Sequence, residues 1–578
     1  MLRLLAALLP AAAAFKALAL QERRAETEGP REGAEGGGCK LLMPSLSSRR
    51  ERVVTAVSVK GGGGARAVAV DAGLFVGLAE GEADQAVGTC LAPFQLLSSV
   101  SGSSWFSSEL LFSESFLQLL GGMAADPSSA ASKFQESWIR PWLTATAVDE
   151  KRFDGFQTLV RLLVKLMFGT GDEDTIFLAQ FFLATGLTWN HFVDVLLNST
   201  AGISQELPLG STLACKGAAG KTWLVDHSLL LPTSGQRGSV AQGRLFSRVS
   251  YDVQAPISML PAWFSVTLGA GVQSSAPLPY MALPDAVLQF QYQLSGLLDH
   301  TTISAPPVRL DGTNGSLLKN SGRLPIARAA AASSAVFGSE LIDGVVAAEM
   351  SNLLKAEVAV WIGLGDQGQD FFSDAEHLLA SLRGNVSPST LSAFAHGAVH
   401  ALLDGGYSDG TGIAQAVAAG ASEVVTVLNS FSTNDPACVA QLFPNSTTPL
   451  KPGVPRELFP VFEFPAAAAV EAAFGAFQTL QPAPGSTYLK VFAFGSFQAV
   501  TAENPYFGTH RGRTVTIHVL NIGAELSIGF FENFAHYASL IQEIALTLRA
   551  PANKELVEEN LRPLFYDASD TRAVDIMA

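Results

Sequence analysis

The sequence predicts an α/β fold, because strand-like and helix-like segments alternate near both ends of the chain. Residues 51–59, ERVVTAVSV, form a β-branched run that predicts a buried strand, and a glycine loop and an alanine-rich, helix-compatible segment follow it. Residues 514–522, TVTIHVLNI, predict a late strand, and residues 534–549 predict the helix that closes the domain. Hydrophobic residues make up 48% of the 578 residues and charged residues 15%, a composition that provides a large core and excludes global disorder.

The glycine loop, residues 60–66 (KGGGGAR), lies where backbone N–H groups at the start of a helix can converge on an anion. It has neither the Lys-Ser or Lys-Thr ending of a P-loop nor the spacing of a dinucleotide-binding G-x-G-x-x-G motif. Residues 215–222, CKGAAGKT, are closer to a P-loop, but Cys215 replaces the first glycine and no clear strand flanks the segment. We therefore interpret neither stretch as a nucleotide site.

A serine-rich stretch, residues 96–111 (LLSSVSGSSWFSSELL), places small hydroxyl side chains between an apolar run and Trp105. A sharp strand-to-helix turn that exposes a serine hydroxyl needs small neighbouring side chains, and this stretch provides them. Ser101, within Ser-Gly-Ser, is the candidate nucleophile. An ordinary polar loop is the alternative.

An aspartate motif lies far downstream of this serine. The apolar run Val399 to Leu403 ends at Asp404-Gly405-Gly406, and a helix-compatible segment, Ile413 to Ala421, and the β-branched EVVTVL follow. An aspartate at the end of a strand lies at the carboxyl edge of a sheet, where α/β active sites are built. A common Asp-Gly turn is the alternative.

These motifs occur in an order that resembles the catalytic domain shared by group IV cytosolic phospholipases A2, fungal lysophospholipases (phospholipase B) and, more remotely, patatins. The matching blocks are GGGAR at residues 62–66, SVSGSSW at residues 99–105 and DGG at residues 404–406. The resemblance implies a three-layer fold with a central, largely parallel sheet and a large cap insertion. Two departures are Ser99, where the family's elbow begins with glycine, and the lack of a second arginine soon after the aspartate motif.

The resemblance also implies the role of each site residue. Ser101 would be the nucleophile and Asp404 the base of a Ser–Asp dyad. Gly62, Gly63 and Gly64 would form the oxyanion hole, and Arg66 would add positive charge for a phosphate or for the oxyanion. The implied activity is hydrolysis of fatty acyl esters of phospholipids or lysophospholipids, with transient contact to a membrane surface and with neither a metal nor another cofactor.

Two alternative functions remain at this stage. A Ser-His-Asp esterase or lipase acting on neutral esters would need a histidine, and the candidates are His510, His518 and His536, with His396 and His400 as a local pair. A catalytically inactive lipid-binding protein on the same fold would be consistent with the departure at Ser99.

The expected organisation follows from these motifs. Residues 40–125 would form the first part of the catalytic domain, residues 126–385 a cap or insertion, and residues 386–578 the last part. The insertion includes an amphipathic helix at residues 156–168 and strand-like runs at residues 285–298 and 356–365. A cap is where acyl specificity would reside.

The N-terminus predicts secretion. Residues 1–20 have the layout of a signal peptide, with Arg3 before an apolar stretch too short to span a membrane, and a buried helix is the alternative. Residues 21–39 are charged and glycine-rich and predict a disordered linker. The protein would enter the secretory pathway, or stay in the cytoplasm if the apolar segment is retained.

Cysteines, sequons and net charge further limit the compartment and the partners. The four cysteines contain no CxxC pair, which excludes a zinc ribbon and leaves room for one or two disulfides; they are Cys39, Cys90, Cys215 and Cys438. Four Asn-x-Ser/Thr sequons agree with secretion without proving it; they begin at Asn198, Asn314, Asn385 and Asn445. The net charge of −15, without a basic stripe, argues against nucleic acid as a partner.

Overall fold

A computed structural model describes most of the regions that carry the motifs. The described residues are 55–61, 64–79, 90–145, 189–205, 207, 215, 218, 220–232, 239–242, 247–250, 257–267, 325–335, 360–363, 399–430, 433–450, 454, 456–504, 507–526 and 534–566. The expected signal peptide and linker, the helix at residues 156–168 and the strand at residues 285–298 lie outside these ranges.

The strands alternate with helices over the described chain. The strands are β1 (Thr55–Gly61), β2 (Leu96–Ser101), β3 (Thr222–Pro232), β4 (Ser239–Gln242), β5 (Ser247–Ser250), β6 (Ile257–Thr267), β7 (Val360–Gly363), β8 (Val399–Asp404), β9 (Glu423–Ser430), β10 (Phe462–Phe464), β11 (Gln478–Thr479), β12 (Leu489–Thr501) and β13 (Thr514–Ala524). The α-helices are α1 (Ala65–Leu78), α2 (Gly102–Phe112), α3 (Glu114–Ala125), α4 (Ala130–Phe134), α5 (Arg140–Ala145), α6 (Trp189–Ala201), α7 (Ile326–Ser333), α8 (Ile413–Ala418), α9 (Ala437–Ala440), α10 (Ala467–Gly475), α11 (Phe534–Arg549), α12 (Lys554–Leu556) and α13 (Arg562–Phe565).

One mixed sheet contains every described strand except β4 and β5. Its order is β10-β12-β13-β9-β1-β2-β3-β8-β7, with β11 beside β12 and β6 beside β3. The central strands β13, β9, β1, β2 and β3 are parallel, and the flanking pairs are antiparallel. The predicted α/β class is confirmed.

Burial explains the sequence patterns of the central elements. All of β2 and nearly all of β9 are buried, so both strands are covered on both faces. Neither shows the regular alternation of apolar and polar residues that is typical of a half-exposed strand. Helix α1 is buried along its whole length and packs along α11. Among the described residues, no helix has both the length and the apolar character that crossing a membrane requires.

Most predicted boundaries agree with the structure to within a few residues. Strand β1 falls on the run at residues 51–59, β8 on Val399–Leu403 and β13 on residues 514–522, and α11 matches residues 534–549. Helix α8 ends at Ala418, three residues before the expected Ala421, since Gly420 has a φ of 99°.

The interpretation of residues 126–385 as a cap needs correction, because β3, β6 and β7 of this segment belong to the central sheet. The flank of CKGAAGKT was also wrongly read, since β3 begins at its last residue, Thr222. Strand β3, TWLVDHSLLLP, consists of two short apolar runs separated by Asp226, His227 and Ser228. Short apolar runs do not reveal a strand's position in a sheet.

The described cysteines, Cys90, Cys215 and Cys438, are not in disulfides. Burial is the first cause that raises the pKa of Cys215 to about 12. Of the four sequons, Asn198 and Asn445 are exposed, and Asn314 and Asn385 lie outside the described residues.

Candidate active site

Strands β2 and β8 bring Ser101 and Asp404 together because both strands pair with the same edge of β3. Strand β6 occupies the other edge along the whole of β3. On the shared edge, β2 runs parallel to β3 as far as the pair Val100–Asp226, and β8 arrives antiparallel from the other end, with Asp404 opposite His227. The last residues of β2 and β8 therefore meet.

Ser101 occupies a sharp turn between β2 and α2, as predicted. Its φ of 58° and ψ of −133° are unusual for a residue with a side chain and store strain of the kind found at functional sites. The next residue must be glycine, since a Cβ on Gly102 would lie 2.4 Å from the carbonyl oxygen of Gly64. The serine turn and the glycine loop therefore touch through their backbones.

The side chains of Ser101 and Asp404 form a direct hydrogen bond. Ser101 Oγ donates to Asp404 Oδ2 at 2.6 Å, and the backbone N–H of Gly406 donates to Asp404 Oδ1 at 2.8 Å. Both residues are only 4% exposed. The carboxylate is thus oriented by one oxygen and presents the other to the serine proton, which is the geometry that a general base needs.

The turn after Asp404 is held against β3. A Cβ on Gly405 would lie 2.5 Å from the carbonyl oxygen of Asp226. Ser408 donates its backbone N–H to Ser228 Oγ at 3.0 Å. Close backbone packing and a buried hydrogen bond therefore fix Asp404 relative to β3.

Asp409, a second acidic residue near the motif, is engaged in the same loop. Its Oδ1 accepts from the backbone N–H and the hydroxyl of Thr411, at 2.8 and 2.6 Å, and its Oδ2 accepts from the backbone N–H of Ala414 at 2.9 Å. Asp409 thereby organises the start of α8, and Asp404 remains the carboxylate bonded to the serine.

A buried acid, Asp226, links β2 to this loop. Ser98 Oγ lies 2.6 Å from Asp226 Oδ2 and 2.9 Å from the carbonyl oxygen of Gly412. A hydroxyl has one proton, so both contacts are hydrogen bonds only if Asp226 is protonated and donates to Ser98. Burial, and then the nearby Asp409 carboxylate, raise the pKa of Asp226 well above its ordinary value, in agreement with a neutral Asp226.

The predicted oxyanion hole is only partly within the described residues, since Gly62 and Gly63 lie outside them. Gly64 directly precedes α1, with a φ of 53°. Arg66, in the first turn of α1, is 7% exposed, and burial lowers its pKa. Its charge acts on Tyr537 of α11, whose pKa burial raises to about 12.

Ser99 is accommodated at the position where the resembled family has glycine. It is fully buried; its Oγ accepts a hydrogen bond from Trp223 Nε1 at 2.9 Å and shares one with Ser104 Oγ at 3.1 Å. The extra hydroxyl of Ser99, compared with glycine, is therefore satisfied by buried hydrogen bonds to β3 and α2.

Sequence reasoning missed two residues at the end of α7, Ser333 and Ala335, that contact the backbones of Ser101 and Asp404. Ser101 donates its backbone N–H to Ser333 Oγ at 3.0 Å, and Asp404 donates its backbone N–H to the carbonyl oxygen of Ala335 at 3.2 Å. The only signal in the sequence is a pair of serines after an alanine run, IARAAAASS.

The three candidate histidines nearest the C-terminus have their contacts away from Ser101 and Asp404. His518 bonds Ser496 Oγ at 2.7 Å and Glu423 Oε1 at 3.1 Å. The registers place it level with Leu97 but three strands away from β2, a lateral distance of about 14 Å. His510 contacts Glu503, and His536 stacks on Tyr488.

Other histidines lie nearer to β8. His400 is within β8 itself, and His396 is outside the described residues. His227, which the sequence analysis did not single out, lies across from Asp404, with Nε2 3.1 Å from the carbonyl oxygen of Ala329. Burial lowers its pKa to about 3, so the ring is neutral. Its Nε2–H donates to the carbonyl oxygen of Ala329 in α7.

No protein-family model matches the chain, and no curated protein matches it significantly. The interpretation of the site therefore depends on its three motifs and on the geometry around Ser101 and Asp404.

Proposed function

We propose that this protein is a serine acyl hydrolase of the phospholipase A2 and lysophospholipase type, a member of the patatin-like superfamily. The observation that carries the proposal is the 2.6 Å hydrogen bond from Ser101 Oγ to Asp404 Oδ2, made at a strained strand-to-helix turn. A Ser–Asp pair in this position supports attack on an ester carbonyl without a histidine.

In the proposed reaction, Ser101 Oγ attacks the ester carbonyl carbon while its proton moves to Asp404 Oδ2. The tetrahedral intermediate collapses to an acyl-serine, and Asp404 returns the proton to the departing alkoxide. A water molecule then attacks the acyl group, again giving a proton to Asp404. Release of the fatty acid returns this proton to Ser101 Oγ.

Negative charge on the former carbonyl oxygen would be stabilised by backbone N–H groups of Gly62, Gly63 and Gly64, with support from Arg66. The contact between Gly102 and Gly64 supports this role, since it brings the glycine loop within van der Waals distance of the turn that holds the nucleophile. Each N–H donor of an oxyanion hole contributes about 3 kcal/mol of transition-state stabilisation.

The proposed fold is the three-layer arrangement of the phospholipase A2 and patatin families. It is supported by five central parallel strands, by a serine at the carboxyl end of β2 and by an aspartate at the end of β8. Secretion through the N-terminal segment belongs to the same proposal.

The proposed substrates are phosphatidylcholine and lysophosphatidylcholine, with chain length mattering more than headgroup. The 36 phenylalanines and the low fraction of charged residues, 15%, are compatible with an apolar binding site for an acyl chain. The lack of a second arginine after the aspartate motif reduces the basis for headgroup selection, and neutral esters are the rival substrate class.

Release of free fatty acid by purified mature protein tests this function. The panel contains phospholipids, lysophospholipids, triacylglycerols and a soluble short-chain ester, with the Ser101→Ala variant as the control. The wild type is expected to hydrolyse the phospholipids, and the Ser101→Ala variant is expected not to. Cleavage restricted to triacylglycerol or to the short-chain ester would overturn the substrate class, and no cleavage at all would favour the inactive lipid-binding protein.

A further inference from the structure

The C-terminal end of α7 contacts the backbones of both proposed catalytic residues. Ser333 Oγ accepts from the N–H of Ser101, and the carbonyl oxygen of Ala335 accepts from the N–H of Asp404. Residues 333 and 335 therefore hold the nucleophile and the base at once, although these two lie 303 positions apart in the sequence.

The position of α7 is itself fixed by contacts on several sides, most of them buried. Arg328 Nη2 lies 3.2 Å from Asp194 Oδ2 of α6. His227 of β3 donates to the carbonyl oxygen of Ala329, and Trp105 Nε1 of α2 donates to Ser334 Oγ at 2.8 Å. Because partners on β3, α2 and α6 anchor this helix, its end can act as a rigid reference for the dyad.

Such a reference is needed because β2 and β8 meet end to end. Within the described residues, β2 pairs with β1 and β3, and β8 pairs with β3 and β7. Their relative position is therefore set through β3, and α7 provides a second connection, at the backbone N–H groups of Ser101 and Asp404.

The Ser333 hydroxyl also belongs to a hydrogen-bonded network behind the strained turn. It bonds Ser104 Oγ at 2.7 Å, Ser104 Oγ bonds Ser99 Oγ at 3.1 Å, and Trp223 donates to Ser99. Every side chain in this network is buried. The network thus connects the serine that replaces the family's elbow glycine to the amide of the nucleophile.

We infer that Ser333 is a positioning residue for the acyl-transfer reaction, holding the Ser101 amide so that Ser101 Oγ stays aligned with Asp404. This inference rests on the proposed function. It does not place Ser333 in contact with substrate; the hydroxyl acts through the conformation of the turn. Loss of the hydroxyl would leave the buried N–H of Ser101 without its partner and allow the turn to relax away from a φ of 58°.

The test is the Ser333→Ala variant, read by steady-state kinetics and by the rate at which a fluorophosphonate labels Ser101. Both kcat and the labelling rate should fall about 10- to 100-fold, since small misplacements of reacting groups have effects of this size. KM should stay within about twofold, because the substrate-binding surface is unchanged. Ser333→Thr, which keeps the hydroxyl, should restore most of the rate.

Ser113→Ala is the matched control. It removes a buried serine hydroxyl that, like Ser333 Oγ, accepts a backbone N–H, but from Phe116 and at the opposite end of α2 from Ser101. It should lower the melting temperature to a similar extent while leaving kcat within about threefold. Ser104→Ala provides a second test, because it removes the partner of Ser333 Oγ and should slow labelling even if Ser333→Ala does not fold.

The outcomes separate the inference from the proposed function. A wild-type protein that neither labels nor hydrolyses any ester contradicts the proposed function. A wild-type protein that labels at Ser101, together with Ser333→Ala or Ser104→Ala variants that label equally fast, overturns the inference and leaves the function standing.

Discussion

The hydroxyl of Ser98 lies between the Asp226 carboxyl group and the carbonyl oxygen of Gly412, at 2.6 and 2.9 Å. This contact joins the strand of the proposed nucleophile to the loop that follows the proposed base. Because Ser98 has a single proton, a neutral Asp226 satisfies both contacts, and the raised pKa of Asp226 has the same consequence.

Asp226→Asn should therefore become more stable relative to wild type as the pH rises. A buried acid with a raised pKa binds its proton more tightly in the folded state than in the unfolded state. The stabilisation that this proton gives is complete below the pKa of the unfolded state and is lost as the pH rises towards the pKa of the folded state. The asparagine amide can donate to Ser98 without titrating. The melting temperature of Asp226→Asn relative to wild type should be higher at pH 8 than at pH 5.

Glu559→Gln, which removes an exposed carboxyl group, is the control for the change in net charge. A difference in melting temperature between Asp226→Asn and wild type that is equal at both pH values would show that Asp226 is ionised in the folded protein.

A second pH effect is expected from Glu109, which lies in α2, the helix that follows the proposed nucleophile. Burial raises its pKa from 4.5 to about 8, against the hydrogen bonds donated by Thr200 and Trp138. Its contribution to stability should be lost between about pH 4.5 and 8, with a slope of at most about 1.4 kcal/mol per pH unit. Glu109→Gln should flatten the dependence of the melting temperature on pH over this interval.

Glu136→Gln changes an exposed carboxyl group in the neighbouring helical segment and should leave that dependence as it is in wild type. If the difference in melting temperature between Glu109→Gln and wild type is instead the same throughout this interval, Glu109 is ionised in the folded protein.

If Ser101 and Asp404 form the proposed dyad, the kinetics of their variants should be strongly non-additive. Ser101→Ala and Asp404→Asn should each remove nearly all esterase activity, by about 10³-fold or more, and the double variant should be little worse, because the two side chains act as a unit. His518→Ala, about 14 Å to the side by strand spacing, should stay within about tenfold of wild type. Full activity of Asp404→Asn would exclude the dyad, and Asp409 would then be the next residue to replace.

The contact between Gly102 and Gly64 predicts a large effect from a single methyl group. In Gly102→Ala the new Cβ would lie 2.4 Å from a backbone oxygen of Gly64, so the glycine loop must move and kcat should fall at least about 100-fold. Gly122→Ala is the control, because its Cβ would meet nothing within 4 Å and alanine favours a helix by about 1 kcal/mol. Equal kinetics for both variants would contradict a role for the loop in the reaction.

The sequence alone indicated the elements whose signal is local. Ser101 ends a serine-rich segment that follows an apolar run, Asp404 ends an apolar run, and a glycine follows each of them. Both patterns lie within a few neighbouring positions. The strand β13 and the helix α11 are likewise predictable, because their periodicity is complete within one segment.

Ser333 and Asp226 could not be placed from the sequence, because their roles depend on segments that meet only in the folded chain. The alanine-rich α7 resembles any buried helix, and its serines matter only through the amide of Ser101, 232 positions away. Asp226 is conspicuous as an acid within the apolar strand β3. The sequence does not reveal, however, that β3 accepts both β2 and β8 along one edge.

The shared edge of β3 has a consequence for how the protein would acquire the proposed activity. Ser101 and Asp404 are 303 positions apart, and contacts between such distant positions require the chain to close a large loop before they form. A refolding intermediate that contains β1, β2 and α2 would have the serine turn but no base. Hydrolysis should therefore return later than helical circular dichroism during refolding, and enzymatic turnover would report completed tertiary assembly.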